Sequence, residues 1–187
     1  LGDVYKRQGQ FIVAIDVGIK NLGLCVFDFV TSKVVHWDCV SLVPNGRYIP
    51  MNNVEYVRNF VGRYEHYFTS AHKVLIERQI RCNMRIVEAI LQAMFYERCI
   101  VISARSVKMH YDLSTKNYRA NKQKAVAWAG SFLRANPHAF ETPATVNWAS
   151  RSKQDDLADS LLLVMYYLDT YSNQLSSDVF IQGGFVL

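Results

Sequence analysis

Two acidic residues in this chain stand at the ends of apolar runs. Phe11 to Ile15 are five apolar residues that lead without a break into Asp16, and Lys73 to Ile76 is a short, mostly apolar stretch that ends in Glu77. Each is the pattern of a buried strand that delivers a carboxylate at its C-terminal end. Asp156 and Asp159 lie three residues apart, so a helix there carries both on one face. Four carboxylates gathered in one place are costly unless a cation neutralises them, and oxygen ligands of this hardness suit Mg2+ or Mn2+ rather than zinc. Each acid also has a plainer reading. Asp155, Asp156 and Asp159 fall in the first turns of a helix, where acids complement the macrodipole, and Asp155 is read as a capping residue with Ser152. Asp16 can open a turn with Val17-Gly18, and Glu77 can end a strand beside Arg78. The conjunction of two strand-terminal acids with an i,i+3 pair is what favours a metal site.

Cations flank these acids. Lys116, Arg119, Lys122 and Lys124 fall within the nine residues 116–124, which contain no acid and include Tyr118, and Arg105 and Lys108 extend the patch upstream. Arg78, Arg81 and Arg85 follow Glu77, with Gln79 and Asn83 as added polar contacts and Glu88 as an alternative partner. Phosphate is the natural ligand of both groups, because a cluster of carboxylates repels a nucleic acid unless flanking cations hold its backbone. A solvated loop and helix face is the plainer account of the 116–124 run alone. The net charge of +5 and pI near 9.0 agree with a polyanionic partner. Trp37, Trp128 and Trp148 have unrelated spacings and read as packing residues.

Positioning such groups requires a folded domain. Of 187 residues half are apolar and a fifth charged, which excludes a disordered chain and suits one domain over residues 9–187. Residues 1–8 are polar and aperiodic, and are expected to be a disordered or artefactual extension. Asn21 to Phe29 and Ser32 to Val40 are β-rich and joined by Val30-Thr31, so the first three strands form an antiparallel meander, ended by Pro44-Asn45-Gly46. The spacing of Val54, Val57, Phe60, Val61, Tyr64 and Tyr67 predicts a helix over Asn53 to Phe68, with Asn52 or Asn53 as cap. A second helix follows Asn83. Its Met84, Val87, Leu91, Met94 and Phe95 are a candidate dimer surface or simply its inner face. Cys99 to Ser103 reads as a strand, Arg105 to Asn121 as a loop, Lys122 to Arg134 as a helix stopping before Asn136-Pro137, and a last helix runs through Tyr171. The result is α/β: a mixed sheet flanked by helices. Cys25, Cys39, Cys82 and Cys99 have no paired spacing and read as reduced core thiols. The longest apolar run, Leu161 to Tyr167, is far short of a membrane span, so an intracellular protein without a membrane partner is expected.

The segment Ile15-Asp16-Val17-Gly18-Ile19-Lys20-Asn21-Leu22-Gly23 resembles the opening motif of RuvC-type Holliday junction resolvases, and its Gly-Ile-Lys-Asn continuation resembles the poxvirus-type and fungal mitochondrial branches. Leu75-Ile76-Glu77-Arg78-Gln79 resembles that family's second acidic motif, and residues 153–161 its paired-aspartate helix. The resemblance spans Phe11 to about Tyr171. It implies a ribonuclease H-like fold, a homodimer, four-way or branched DNA as partner, and Mg2+, with Mn2+ able to substitute. On the same mapping Asp16, Glu77, Asp156 and Asp159 take the metal-ligand positions. A catalytic lysine is implied at or before the third helix, where Lys122 is preferred to Lys124. Lys20, Arg78, Arg81, Lys116, Arg119 and Lys124 are then expected on the DNA. A viral enzyme would act in the host cytoplasm and a fungal one in mitochondria. A ribonuclease H-like nuclease acting on RNA–DNA hybrids and a non-catalytic junction-binding protein are the alternatives.

Overall fold

The computed structural model describes residues 10–43, 46–141, 148 and 153–175. Strands β1 (Phe11–Asp16), β2 (Leu22–Asp28), β3 (Lys33–Val40), β4 (Ala71–Glu77) and β5 (Cys99–Ile102) form one sheet in the order β3-β2-β1-β4-β5. Short turns join β1 to β2 and β2 to β3, and both pairs are antiparallel, as the meander requires. Helical crossovers lead into β4 and β5, and the β1–β4 and β4–β5 pairs are parallel. The mixed sheet predicted from the sequence is therefore present. Its central strand β1 has parallel β4 on one side, with Ile15 opposite Ile76, so the next residues along, Asp16 and Glu77, emerge side by side at the same edge.

Both faces of the sheet are covered, which is why β1 and β2 are apolar up to their terminal aspartates, Gly23 apart. On one face Ile12, Ala14, Cys25 and Phe27 pack against α5 (Tyr118–Ala135) and α6 (Gln154–Leu175). On the other, Val13, Ile15, Leu24 and Val26 meet α1 (Asn53–Arg63), α2 (Glu65–Thr69) and α3 (Cys82–Met94) through Val57, Phe60, Phe68, Val87 and Leu91. A short helix, α4 (Ala104–His110), follows β5.

The departures from expectation have local causes. The helix predicted over 53–68 is broken at Tyr64, whose backbone leaves helical geometry between α1 and α2. The predicted loop over 105–121 instead holds α4 and the first turn of α5. α4 has seven residues and buries only Val107, too little to register as periodicity. α5 begins at Tyr118 rather than Lys122 because Asn117 caps it: its side-chain oxygen accepts from the Arg119 and Ala120 amides at 2.9 and 3.3 Å. On α3, Val87, Leu91 and Phe95 lie in the core, so most of the stripe considered for a dimer surface is the inner face. The large apolar residues α3 leaves outside are Ile86 and Met94, joined by Ile80 just before the helix. Cys25 is buried and Cys39 and Cys99 are half-buried, but Cys82 is exposed in the first turn of α3, not a core thiol. Trp37 is buried and lies 5.1 Å from Trp148 in a stacked pair, and Trp128 stacks on Phe132. Among the described residues no helix is long and apolar enough to cross a membrane. The predicted extension over 1–8, the Pro44-Asn45 turn and the Ser152 cap lie outside the described residues.

Candidate active site

Asp16 and Glu77 are brought together by the parallel pairing of β1 and β4. The third element, α6, is brought to them by a glycine. Gly23 stands opposite Asp16 in the β1–β2 register, and a Cβ there would lie 2.2 Å from the Asp156 carbonyl oxygen and 3.2 Å from Ser160 Cβ. Lacking a side chain, Gly23 lets α6 rest on the sheet beside Asp16. Trp37 on β3 fixes the same turn of α6 by donating its indole N–H to the Leu157 carbonyl at 2.9 Å. The turn after Asp16 is equally tight, since a Cβ on Gly18 would lie 1.8 Å from the Asn21 carbonyl oxygen.

As a result one carboxylate oxygen each from Asp16, Glu77 and Asp159 lies within 4.8 Å of the others. Asp156 lines the same cleft, outside this group of three. Burial, and then repulsion from Glu77, Asp159 and Asp156, holds the Asp16 carboxyl well above its ordinary value. Burial pushes Glu77 up to about 7, with Asp159 adding to the rise, and pushes Asp156 up to about 6, with Asp155 adding to it. Asp159 is also raised by burial, against the pull of Lys108. The donor set consists of hard oxygens only, converging and mutually repelling, and so fits a divalent cation such as Mg2+ or Mn2+.

Of the lysines that line this cleft, Lys108 and Lys122 are each held by an aspartate of α6. Lys108 Nζ, from α4, lies 3.3 Å from Asp159 Oδ1. Lys122, from α5, is ion-paired with Asp155 and sits 5.3 Å from the Tyr118 ring. Asp155 is a tether for Lys122: Lys122 draws its carboxyl below the ordinary value despite burial, and Asp155 in turn holds the Lys122 ammonium above its own. Lys124 points elsewhere, its Nζ reaching the Asp112 carbonyl at 3.4 Å. Lys20, Arg78, Arg81 and Lys153 line the cleft with Lys108 and Lys122, whereas Lys116, Arg119 and Lys124 do not. Glu88 accepts from the Gln79 amide and the Gln92 side chain, and among the described residues no ion pair joins it to Arg78, Arg81 or Arg85. Lys108 is the residue sequence reasoning underrated. It counted as one more cation of a surface patch, and only the fold shows it inside the acid cluster.

A mixed five-stranded sheet with a 3-2-1-4-5 order, helices on both faces and carboxylates gathered at the ends of its two central parallel-paired strands is a ribonuclease H-like fold of the resolvase kind. Residues 10–170 match the model of the Poxvirus A22 protein family, and the chain belongs to that family. Among solved structures it is similar to the Fowlpox virus resolvase in complex with substrate Holliday junction DNA, with a TM-score of 0.62, 18% identity and coverage of 86% of this chain and 97% of that one. It is also similar to the yeast mitochondrial Holliday junction resolvase Ydc2, with a TM-score of 0.59, 20% identity and coverage of 91% and 86%. For Thermus thermophilus RuvC the TM-score is 0.50, with 15% identity and coverage of 85% and 95%. No curated protein matches significantly by sequence alone.

Proposed function

We propose that this chain is a metal-dependent endonuclease that resolves Holliday junctions and related branched DNA. The observation that carries the reading is the convergence of the Asp16, Glu77 and Asp159 carboxylates in a cleft rimmed by lysines and arginines. Its context supports it: a member of the Poxvirus A22 family with the fold of a resolvase crystallised on junction DNA. Asp16, Glu77, Asp156 and Asp159 would hold Mg2+, with Mn2+ as a substitute, and when bound the metal supplies Lewis acidity to the scissile phosphate and a more acidic water. Lys122 is the catalytic lysine of this reading, its ammonium placed by Asp155 to offset charge that grows on the reacting phosphate. Lys20, Arg78 and Arg81 grip the backbone at the cleft. Lys116, Arg119 and Lys124 extend its path outside. Cleavage leaves 5′-phosphate and 3′-hydroxyl ends. Symmetric cleavage needs two such clefts related by a twofold axis, hence a homodimer. Membership of a poxvirus family supports the cytoplasm of an infected cell as the setting of this reading.

The test is cleavage of a synthetic four-way junction with Mg2+ and with EDTA, beside an RNA–DNA hybrid of equal length. The wild-type chain should cut the junction only with metal and the hybrid far more slowly. D16N, E77Q, D156N and D159N should each bind the junction and leave it uncut. Metal-independent cutting, a preference for the hybrid, or full activity in E77Q would overturn the reading.

A further inference from the structure

The two ion-paired lysines of the cleft, Lys108 and Lys122, are not equivalent. Lys122 is paired with Asp155, which is outside the converging carboxylates. Lys108 is paired with Asp159, one of the three, and the two side chains are only 14% and 12% exposed. Among the described residues no other cation is ion-paired with any of the three. A cluster of three carboxylates within 4.8 Å is unstable without positive charge nearby, and Lys108 supplies it from inside the fold. A divalent cation at the same oxygens would stand a few ångströms from that ammonium, in a partly buried place where their repulsion is weakly screened.

We propose that Lys108 is the resident counter-ion of the acid cluster, which releases Asp159 when a divalent metal ion enters. The inference rests on the metal-site reading above and concerns what that site does when empty. The lysine keeps the metal-free cleft folded and lowers metal affinity, because loading must break its ion pair. The carrier suits an exchange of this kind. α4 is seven residues long, buries only Val107, and is tied to α6 beyond Lys108 by Tyr111 and His110, both on Asp169. The ammonium can leave Asp159 on its own flexible stem while the helix stays in place. A DNA phosphate in the cleft offers the released ammonium a new anion, so metal and DNA should each favour binding of the other.

The experiment is Mn2+ binding by titration calorimetry on the DNA-free full chain at pH 8, comparing wild type with K108M, K108R and K122M. K108M should bind Mn2+ roughly tenfold more tightly, because neither the ion pair nor the repulsion opposes the metal. K108R, which keeps the charge, should bind like wild type, and K122M should change affinity less than threefold. Affinity unchanged or weakened in K108M, or tightened as much in K122M, would overturn the proposal. Should K108M fail to fold, wild-type protein decides by NMR of its lysine side chains, assigned with K108R. Saturating Mg2+ should move the Lys108 ammonium signal and leave that of Lys122 in place, and a stationary Lys108 signal with metal bound would overturn the proposal. A wild-type chain that binds no metal at all would instead overturn the site reading beneath it.

Discussion

At the scale of single residues, what the sequence made legible were groups announced by their own neighbours. Asp16 and Glu77 each end an apolar run, and the structure sets them side by side; Asp156 and Asp159 share a helix face through their spacing. The ion pairs of Asp155 and Lys108 were hidden because their partners lie 33 and 51 residues away, at Lys122 and Asp159, and nothing local announces a lysine held by so distant an acid. The same long-range pair now separates Lys122 from Lys124. Lys122 lines the cleft beside Asp155 and Tyr118, while Lys124 bonds to the Asp112 carbonyl outside it. Changing Lys122 to Met should lower the single-turnover cleavage rate at saturating enzyme about 10²–10³-fold with junction affinity nearly intact, as for loss of one transition-state donor. Lys124→Met should weaken affinity and leave the saturated rate alone. A slowed K124M beside a normal K122M in that measurement would reverse the assignment. D155N should fall between K122M and wild type, since it frees Lys122 without removing its charge.

At the scale of elements, strands and long helices were readable because the sheet buries both faces and its helices are amphipathic. α4 and the break at Tyr64 were hidden, since neither changes the hydrophobic period over enough residues to show. The contact between β2 and α6 was equally hidden, because a glycine in a strand does not say what approaches it. That contact predicts that Gly23→Ala, whose Cβ would meet the Asp156 carbonyl at 2.2 Å, pushes α6 off the sheet. The variant should lose roughly 1–3 kcal/mol of stability in urea melts and bind Mn2+ more weakly; wild-type values for both would place the glycine's role elsewhere. The acids assembled by these elements also set a pH dependence. Glu77 rises to about 7 and Asp156 to about 6, so between the ordinary carboxylate range and about pH 7 the folded metal-free chain holds more protons than the unfolded one. Its stability must therefore fall as pH rises through that window. In EDTA the melting temperature should be higher at pH 5.5 than at pH 7.5, once the pH response of the quadruple variant D16N/E77Q/D156N/D159N is subtracted. Added Mg2+ should raise it more at pH 7.5. A rise in metal-free stability over the same interval, attributable to these four groups, would contradict the arrangement.

At the scale of the whole molecule, charge and an unpartnered apolar surface lie on different sides of the argument. The exposed cations Lys116 and Arg119 stand outside the cleft at the start of α5. Replacing both by Ala should reduce the salt dependence of junction binding by about one to two phosphate contacts without changing which substrate is preferred. An unchanged slope in binding isotherms would mean that this end of α5 faces solvent in the complex. The apolar surface belongs to α3, the helix that follows Glu77. Its inner face packs into the core through Val87, Leu91 and Phe95, so a twofold contact through α3 would use the outer one. There Ile86 and Met94 are exposed at 40% and 42%, with Ile80 at 93% just before the helix. These side chains are the apolar material that α3 offers to a second copy. A pair of α3 helices across a twofold axis would bury this stripe against its own copy, because an isologous contact uses the same residues twice. Ile86 does not line the acid cleft, so a charge there separates assembly from metal binding. Ile86→Glu should shift the chain toward monomer in sedimentation equilibrium while Mn2+ affinity stays that of wild type. On a four-way junction the variant should nick one strand per binding event instead of cutting two symmetrically. A variant that remains dimeric and cuts both strands would place the twofold contact on another face.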